Sequence, residues 1–176
     1  SGNSLEPVKW VDPLIDTANR RFFFLTTASR PFGMVNLSPD TRAGENAWNS
    51  GYRYTDTHVR WFSHVHAWQL CGLPVMPTLG EMKGAQGSDQ YKSRFSHESE
   101  IAEPGYHAVT LDDYDIRAEL TATVRVGVHR YTFNKAGKAW ILLDLPATLM
   151  LPMSDCMVER VGDNAFADRS GRLRRL

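Results

Sequence analysis

Between Ile116 and Phe133 the chain reads "IRAELTATVRVGVHRYTF", and the pattern of this stretch decides the fold class. Ile116, Ala118, Leu120, Ala122, Val124, Val126 and Val128 alternate with Arg117, Glu119, Thr121, Thr123, Arg125, Gly127 and His129. A period of two is that of a strand with one buried face, so the spacing predicts one long strand. Beyond Gly127 the apolar character passes to odd positions, Tyr131 and Phe133. A β-bulge between Gly127 and Arg130 would absorb the extra residue and place His129 at the irregularity.

Working outward, "YHAVTL" (Tyr106 to Leu111) meets this strand through "DDYD" (Asp112 to Asp115), a turn-rich connection that reads as a hairpin. Downstream, "NKAGK" turns into "AWILLDL" (Ala139 to Leu145), expected to be a buried strand. Three more candidate strands, Gly33 to Ser38, His58 to His66 and Met157 to Val161, are separated by Gly, Pro, Asn and Asp clusters. The reading is an all-β antiparallel sandwich with at most a short helix, because no segment sustains a 3.6-residue apolar period.

The chain of 176 residues suits one domain over 1–176. Twenty Lys and Arg balance twenty Asp and Glu, so no net field recruits nucleic acid or an anionic membrane. The longest apolar run, Ala139 to Leu151, is broken by Asp144 and Pro146 and is shorter than the roughly 20 residues that span a bilayer. No basic segment followed by an apolar one opens the chain, so a secretion signal is expected to be absent or already removed. On spacing, Cys71 and Cys156 leave one disulfide or two thiols open, with free thiols the expectation. "NRRFFFLTTASRPFG" (Asn19 to Gly33) carries more aromatic surface than one strand face can bury, which points to a pocket or contact lining. The last residues, "DNAFADRSGRLRRL", offer no closing element, and the sandwich is expected to be incomplete at that end. Exposed edges would then promote self-association.

"FSHVHAWQLCG" (Phe62 to Gly72) holds the densest chemistry. If it is a strand, Phe62, His64 and His66 share one face, and the two imidazoles can reach one metal ion with a third ligand from His97, His129 or Asp56. The competing reading is histidines that bond locally or touch a substrate. Ser63 is rejected as a nucleophile activated by His64, because adjacent strand residues face opposite ways. Asp12, Asp16, Asp40, Glu45, Asp56, Glu81 and Glu98 are all available as a glycosidase carboxylate pair, yet Asp40 in "SPDTR" also suits an Asx-turn. Trp48, Tyr52, Tyr54, Trp61 and Trp68 stand among Asn, Ser, Arg and His. Aromatic faces stack on the C–H surface of sugar rings while polar neighbours bond the hydroxyls, so the mixture suits a carbohydrate; tryptophans filling a core fit equally, and Trp61 is the expected core member.

The segments "VDPLIDT", "RPFGMVNLSPDTR", "SGYRYTD", "FSHVH", Tyr91 to Phe133 and "ILLDL" together resemble the N-terminal domain of the glycoside hydrolase family 92 α-mannosidases, in the family's order. The resemblance implies a sandwich of the galactose-mutarotase-like type, packed against a helical (α/α)6 domain in a calcium-dependent, exo-acting, inverting enzyme of the bacterial periplasm or exterior. The catalytic acid, base and calcium ligands would belong to that C-terminal domain, so this chain is expected to contribute no catalytic residue and no metal ligand and to be inactive alone. By motif, Asp40 and Arg42, Trp48 and Tyr52, and His64 and His66 would stand at or near the wall of a mannoside pocket; Trp48 is the leading candidate for stacking on sugar. Trp68 joins them as a departure. "AWQLCGLPVMP" stands where the family has a small, Gly-rich run, and "ANRRFFFLTTASR" where it has a Gly- and His-rich loop, which points to altered subsites. The alternatives are an autonomous carbohydrate-binding domain and a small metalloenzyme built on His64 and His66.

Overall fold

The stretch from Ile116 to Phe133 forms two strands. In the computed structural model, which describes residues 6–19, 25, 27–42, 51–66, 73–146, 153–169 and 172–173, β9 (Ile116–Ala122) turns through Thr123 to Val126 into β10 (Gly127–Phe133). The Thr123 amide donates to the Val126 carbonyl at 2.8 Å, closing the turn. The phase change therefore has a different cause from the expected bulge: four turn residues intervene, and the pairs Gly127↔Ala122, His129↔Leu120, Tyr131↔Ala118 and Phe133↔Ile116 run without interruption. Opposed residues share a face, so His129 lies mid-strand on the buried side. Val124 and Val126, which continued the alternation, are exposed at the tip.

The earlier strands are β1 (Ala28–Ser29), β2 (Asn36–Asp40), β3 (His58–Val59), β4 (Trp61–Ser63), β5 (Val75–Leu79) and β6 (Ser93–Arg94). After them come β7 (Ile101–Glu103) and β8 (Tyr106–Leu111), and β11 (Ala139–Leu143) follows β10. One antiparallel sheet has the order β10-β9-β8-β7 and the other β1-β2-β4-β5-β11. The "DDYD" connection is a hairpin turn, with Leu111 opposite Ile116. Among the described residues, helix is confined to one turn, α1 (Ser88–Tyr91), and two 3₁₀ turns, Pro7–Trp10 and Gly84–Gln86.

The core lies between the two sheets. Ile116, Ala118, Leu120, Val109 and Leu111 face Leu37 and Phe62, and Trp61 is buried as expected. β11 crosses from the hairpin to the far edge of the second sheet, where it pairs with β5. It is not the buried run that its composition suggests: Trp140 and Ile141 are exposed and only Leu142 is buried. An apolar run at a sheet edge has one face to bury and often little to bury it against. Beyond it, β12 (Met153–Ser154) pairs with β15 (Arg172–Leu173), and β13 (Met157–Gly162) with β14 (Ala165–Arg169). Cys156 is a free thiol whose Sγ donates to the Leu145 carbonyl at 3.3 Å; Cys71 lies outside the described residues.

Leu120→Ala empties space at the centre of this core and is expected to cost about 2–5 kcal/mol in denaturant unfolding. Val128→Ala, on the open face of the neighbouring strand, should stay within about 0.5 kcal/mol. Equal losses would mean that the hairpin faces are wrongly assigned.

Candidate functional site

β2 and β4 pair with Ser38 opposite Ser63, Pro39 opposite Phe62 and Asp40 opposite Trp61. Phe62 points toward the first sheet, with its ring 6.4 Å from that of His129 and 6.0 Å from that of Tyr131. Ser38, Asp40, Trp61 and Ser63 therefore project from the opposite face. Strand β4 ends at Ser63, so period-2 geometry no longer governs His64 and His66. His66 turns back over that opposite face: its Nε2 lies 2.7 Å from Asp40 Oδ1, 3.0 Å from Ser63 Oγ and 3.2 Å from Ser38 Oγ, while Nδ1 lies 2.8 Å from the Asn36 carbonyl oxygen.

The proton positions follow from these partners. A carbonyl oxygen only accepts, so Nδ1 carries a proton; the ionised Asp40 carboxylate also only accepts, so Nε2 carries one too. His66 is an imidazolium. Burial alone would push its pKa down, but Asp40 and the Asn36 carbonyl outweigh burial and raise it. The side chains of both partners are fully buried. The Ser63 hydroxyl donates to Asp40 Oδ2. This is not a nucleophilic triad, because the serine proton goes to the carboxylate and neither imidazole nitrogen is free to accept one. Asp40 is likewise not an Asx-turn residue.

Gly51 closes over the pair. It has φ +72°, and a Cβ there would sit 1.7 Å from Asp40 Oδ1 and 2.9 Å from His66 Cδ2. Its carbonyl accepts the Thr41 amide at 2.8 Å and the Arg42 amide at 3.3 Å. Arg42 grips Asp56 with two nitrogens, Nε to Oδ2 at 2.8 Å and Nη2 to Oδ1 at 2.9 Å, and Thr41 Oγ1 donates to the same carboxylate. They form one side of a cleft of about 430 Å³ shared with Thr57, His58 and Arg60.

A second polar centre lies at Tyr52, whose buried hydroxyl donates to both oxygens of Glu100 at 3.1 Å. Glu100 also bonds His97 Nδ1, and His107 Nε2 is 3.2 Å from its other oxygen. Burial would raise the Glu100 pKa, yet the two imidazoles together hold it below the usual carboxylate value. Sequence reasoning missed this centre. The available signal was His107, which shares parity with Val109 and Leu111 in β8 and so stands on the buried face.

His64 leaves β4 toward the other sheet. Its Nε2 lies 2.9 Å from His129 Nε2, and His129 Nδ1 is 2.7 Å from the Tyr131 hydroxyl. Burial pushes His129 down to about 4 and lowers His64 as well. The alternative that pairs His64 with His66 on one metal is not formed: the two rings bond different partners on opposite sides of the sheet. His97 and Asp56 are committed to Glu100 and Arg42, and among the described residues no three His, Cys, Asp or Glu side chains converge as a metal site.

Of the seven predicted wall residues, the structure brings Asp40 and His66 into contact and sets Arg42 two residues away. It gives Tyr52 and His64 separate partners. Trp48 and Trp68 lie outside the described residues. The segments that carry them, 43–50 and 67–72, nevertheless begin at Arg42 and His66, and the first returns at Gly51. Both spring from the Asp40–His66 contact.

The family model for the glycosyl hydrolase family 92 N-terminal domain matches residues 10–167. Among solved structures, a family GH92 α-mannosidase from Bacteroides thetaiotaomicron superposes with a TM-score of 0.83 at 32% identity, over 90% of this chain and 23% of that one. The same enzyme in complex with mannoimidazole gives 0.80 at 31% identity, over 90% and 22%. A family GH92 inverting mannosidase of that organism gives 0.64 at 27% identity, over 80% and 20%. The chain thus spans less than a quarter of the length of these structures. A comparison with curated proteins returned no match.

Asp40→Ala leaves the His66 imidazolium buried without its counter-charge and is expected to destabilise the chain by about 3–5 kcal/mol. The double variant with His66→Leu should recover a large part of that loss, and chemical denaturation of the mutant cycle measures it. Glu100 supplies the pH dependence. Its folded pKa is depressed, so its contribution is fully present above the unfolded value near 4.5 and is lost as the pH falls through the lower folded value. The stability gap between the unaltered chain and Glu100→Gln should therefore be constant from pH 5.5 to 7 and narrow below pH 4.5. A gap that widens on acidification would contradict the assignment.

Proposed function

Because the chain belongs to the glycosyl hydrolase family 92 N-terminal domain family, we propose that it forms one wall of the sugar pocket of an exo-acting α-mannosidase-like enzyme and is inactive alone. The observation that carries this reading is the common origin of the two tryptophan-bearing segments at the Asp40–His66 pair. The buried ion pair adjoins both ends of the first segment and the start of the second, and Trp48 and Trp68 are the residues on them suited to stacking on a sugar ring. Asp40 and His66, fully occupied by each other, hold that wall in place. Arg42 borders the adjoining cleft, and its guanidinium plane, braced by Asp56, is positioned to meet sugar hydroxyls. Tyr52 and His64 support the wall from behind. The relative bound to mannoimidazole supports a mannoside-like ligand.

Calcium is expected in the complete enzyme. It prefers six to eight oxygen ligands, and the described residues of this chain bring together no such set. The proposed part of this chain is to shape and orient. A periplasmic or extracellular bacterial setting completes the proposal. Self-association is proposed through the open edge at β11, where Trp140 and Ile141 are exposed.

The chain alone should leave aryl α-mannosides intact, whereas the same residues continued into a helical domain should hydrolyse them. Within that longer protein, Trp48→Ala should raise KM or lower kcat/KM at least tenfold, while Ile141→Ala should change neither. Hydrolysis by residues 1–176 alone would refute the inactivity. Millimolar or tighter binding of mannobiose by them in calorimetry would favour the autonomous binding domain instead. Sedimentation should reveal concentration-dependent association that Ile141→Lys abolishes.

A further inference from the structure

We infer that His64 and His129 form a two-imidazole site for a borderline divalent transition-metal ion, of which zinc is the type. The two Nε2 atoms face each other at 2.9 Å across the gap between the sheets, with ring centroids 4.8 Å apart, nearly head to head. Neither ring belongs to the Asp40–His66 pair, and neither is fully buried. His129 Nδ1 is already held by the Tyr131 hydroxyl at 2.7 Å, and the His64 ring has a hydrogen-bonding contact with the Leu73 backbone. Outer hydrogen bonds of this kind fix ring orientation and aim the remaining nitrogen at a metal.

The sequence also clears space at this point. Gly127, opposite Ala122 in the hairpin, lies so close to His64 that a Cβ would approach its Cδ2 to 2.5 Å and its Nε2 to 3.0 Å. Any larger residue would displace the ring. Burial keeps both imidazoles neutral at pH 7, as metal ligands must be. Two nitrogens at about 2.0–2.1 Å from a tetrahedral ion stand about 3.3 Å apart, so the rings need to part by about 0.4 Å and to swing from head to head until their lone pairs meet at the ion. The remaining positions fall to water. No carboxylate bonds either ring among the described residues, so the donor set is nitrogen alone and selects zinc or nickel over calcium or magnesium. The ion would link β4 of one sheet to β10 of the other.

At pH 7.5, Zn²⁺ should raise the unfolding midpoint of the chain saturably, by roughly 5–10 °C at about 100-fold excess over Kd. EDTA should reverse the rise, and Ca²⁺ should produce none. His64→Gln and His129→Gln should each abolish it, Gly127→Ala should weaken it, and His58→Gln should retain it. Imidazole ¹⁵N spectra of the unaltered chain give a readout that does not depend on the variants folding: Zn²⁺ should move the Nε2 signals of His64 and His129 and leave that of the buried His107. The inference is overturned by an absent response at millimolar Zn²⁺, by a response that survives both histidine substitutions, or by shifts confined to other histidines.

Discussion

The buried charge pair of Asp40 and His66 is the constraint on which the rest of this domain depends. Two ions without solvent are costly unless nearly every donor and acceptor is met, and here the requirement recruits three separate pieces of chain. Ser38 and Ser63 come from the paired strands β2 and β4, the Asn36 carbonyl accepts the second imidazole proton, and Gly51 seals the carboxylate. Gly51 is the one residue that fits over Asp40, since it tolerates positive φ and has no Cβ to collide with the carboxylate. The pair thus dictates the identity of its neighbours more strictly than an apolar contact would.

The opposite face of β4 solves a different problem. Phe62 packs toward the other sheet, and the chain then leaves the strand, so that His64 and His66, two residues apart, end on opposite sides. His64 meets His129 over the one position in β10 without a side chain, Gly127. His129 in turn stands in a row with Leu120 and His107 across three adjacent strands. This places two histidines on the core face of the first sheet, each satisfied by a polar group brought from outside that sheet: Thr27 for His107 and His64 for His129. The sheets are consequently held by polar contacts as well as by apolar burial, and such contacts fix register where apolar packing alone tolerates slippage.

The sandwich was legible because period-2 alternation is a direct record of which side of a strand is buried. Val109, Leu111, Ile116, Ala118 and Leu120 all fall where their parity places them. The turn at Thr123 to Val126 was not legible, because Val124 and Val126 continue the apolar alternation through residues that bury nothing. The edge position of β11 was hidden for a similar reason: composition reports what a strand is able to bury, and topology decides what it meets. At the site, the motif "SPDTR" and the pair in "FSHVH" were legible as special, and their mutual contact was not. Asp40 and His66 are 26 positions apart and meet only because β2 and β4 pair in one register. Ser63 was set aside on its relation to His64, which was sound for that neighbour; the end of the strand at Ser63 let the next histidine reach it instead. Glu100 was unread because a carboxylate in "HESE" is indistinguishable from surface charge until His107 supplies its partner.

Under the proposed function, rigid support and ligand contact fall on different residues, and the division has a physical reason. A group that touches a sugar must keep a hydrogen-bonding or stacking surface free, and Asp40 and His66 keep none. What they supply is a fixed point beside which segment 43–50 is entered at Arg42 and left at Gly51, and from which segment 67–72 is entered at His66. Clamping the ends of a chain segment removes freedom in advance, so less is lost when such a segment meets a ligand. Under the proposed function, the composition of 67–72 would then set what the wall touches, while the Asp40–His66 pair sets how its entry is held.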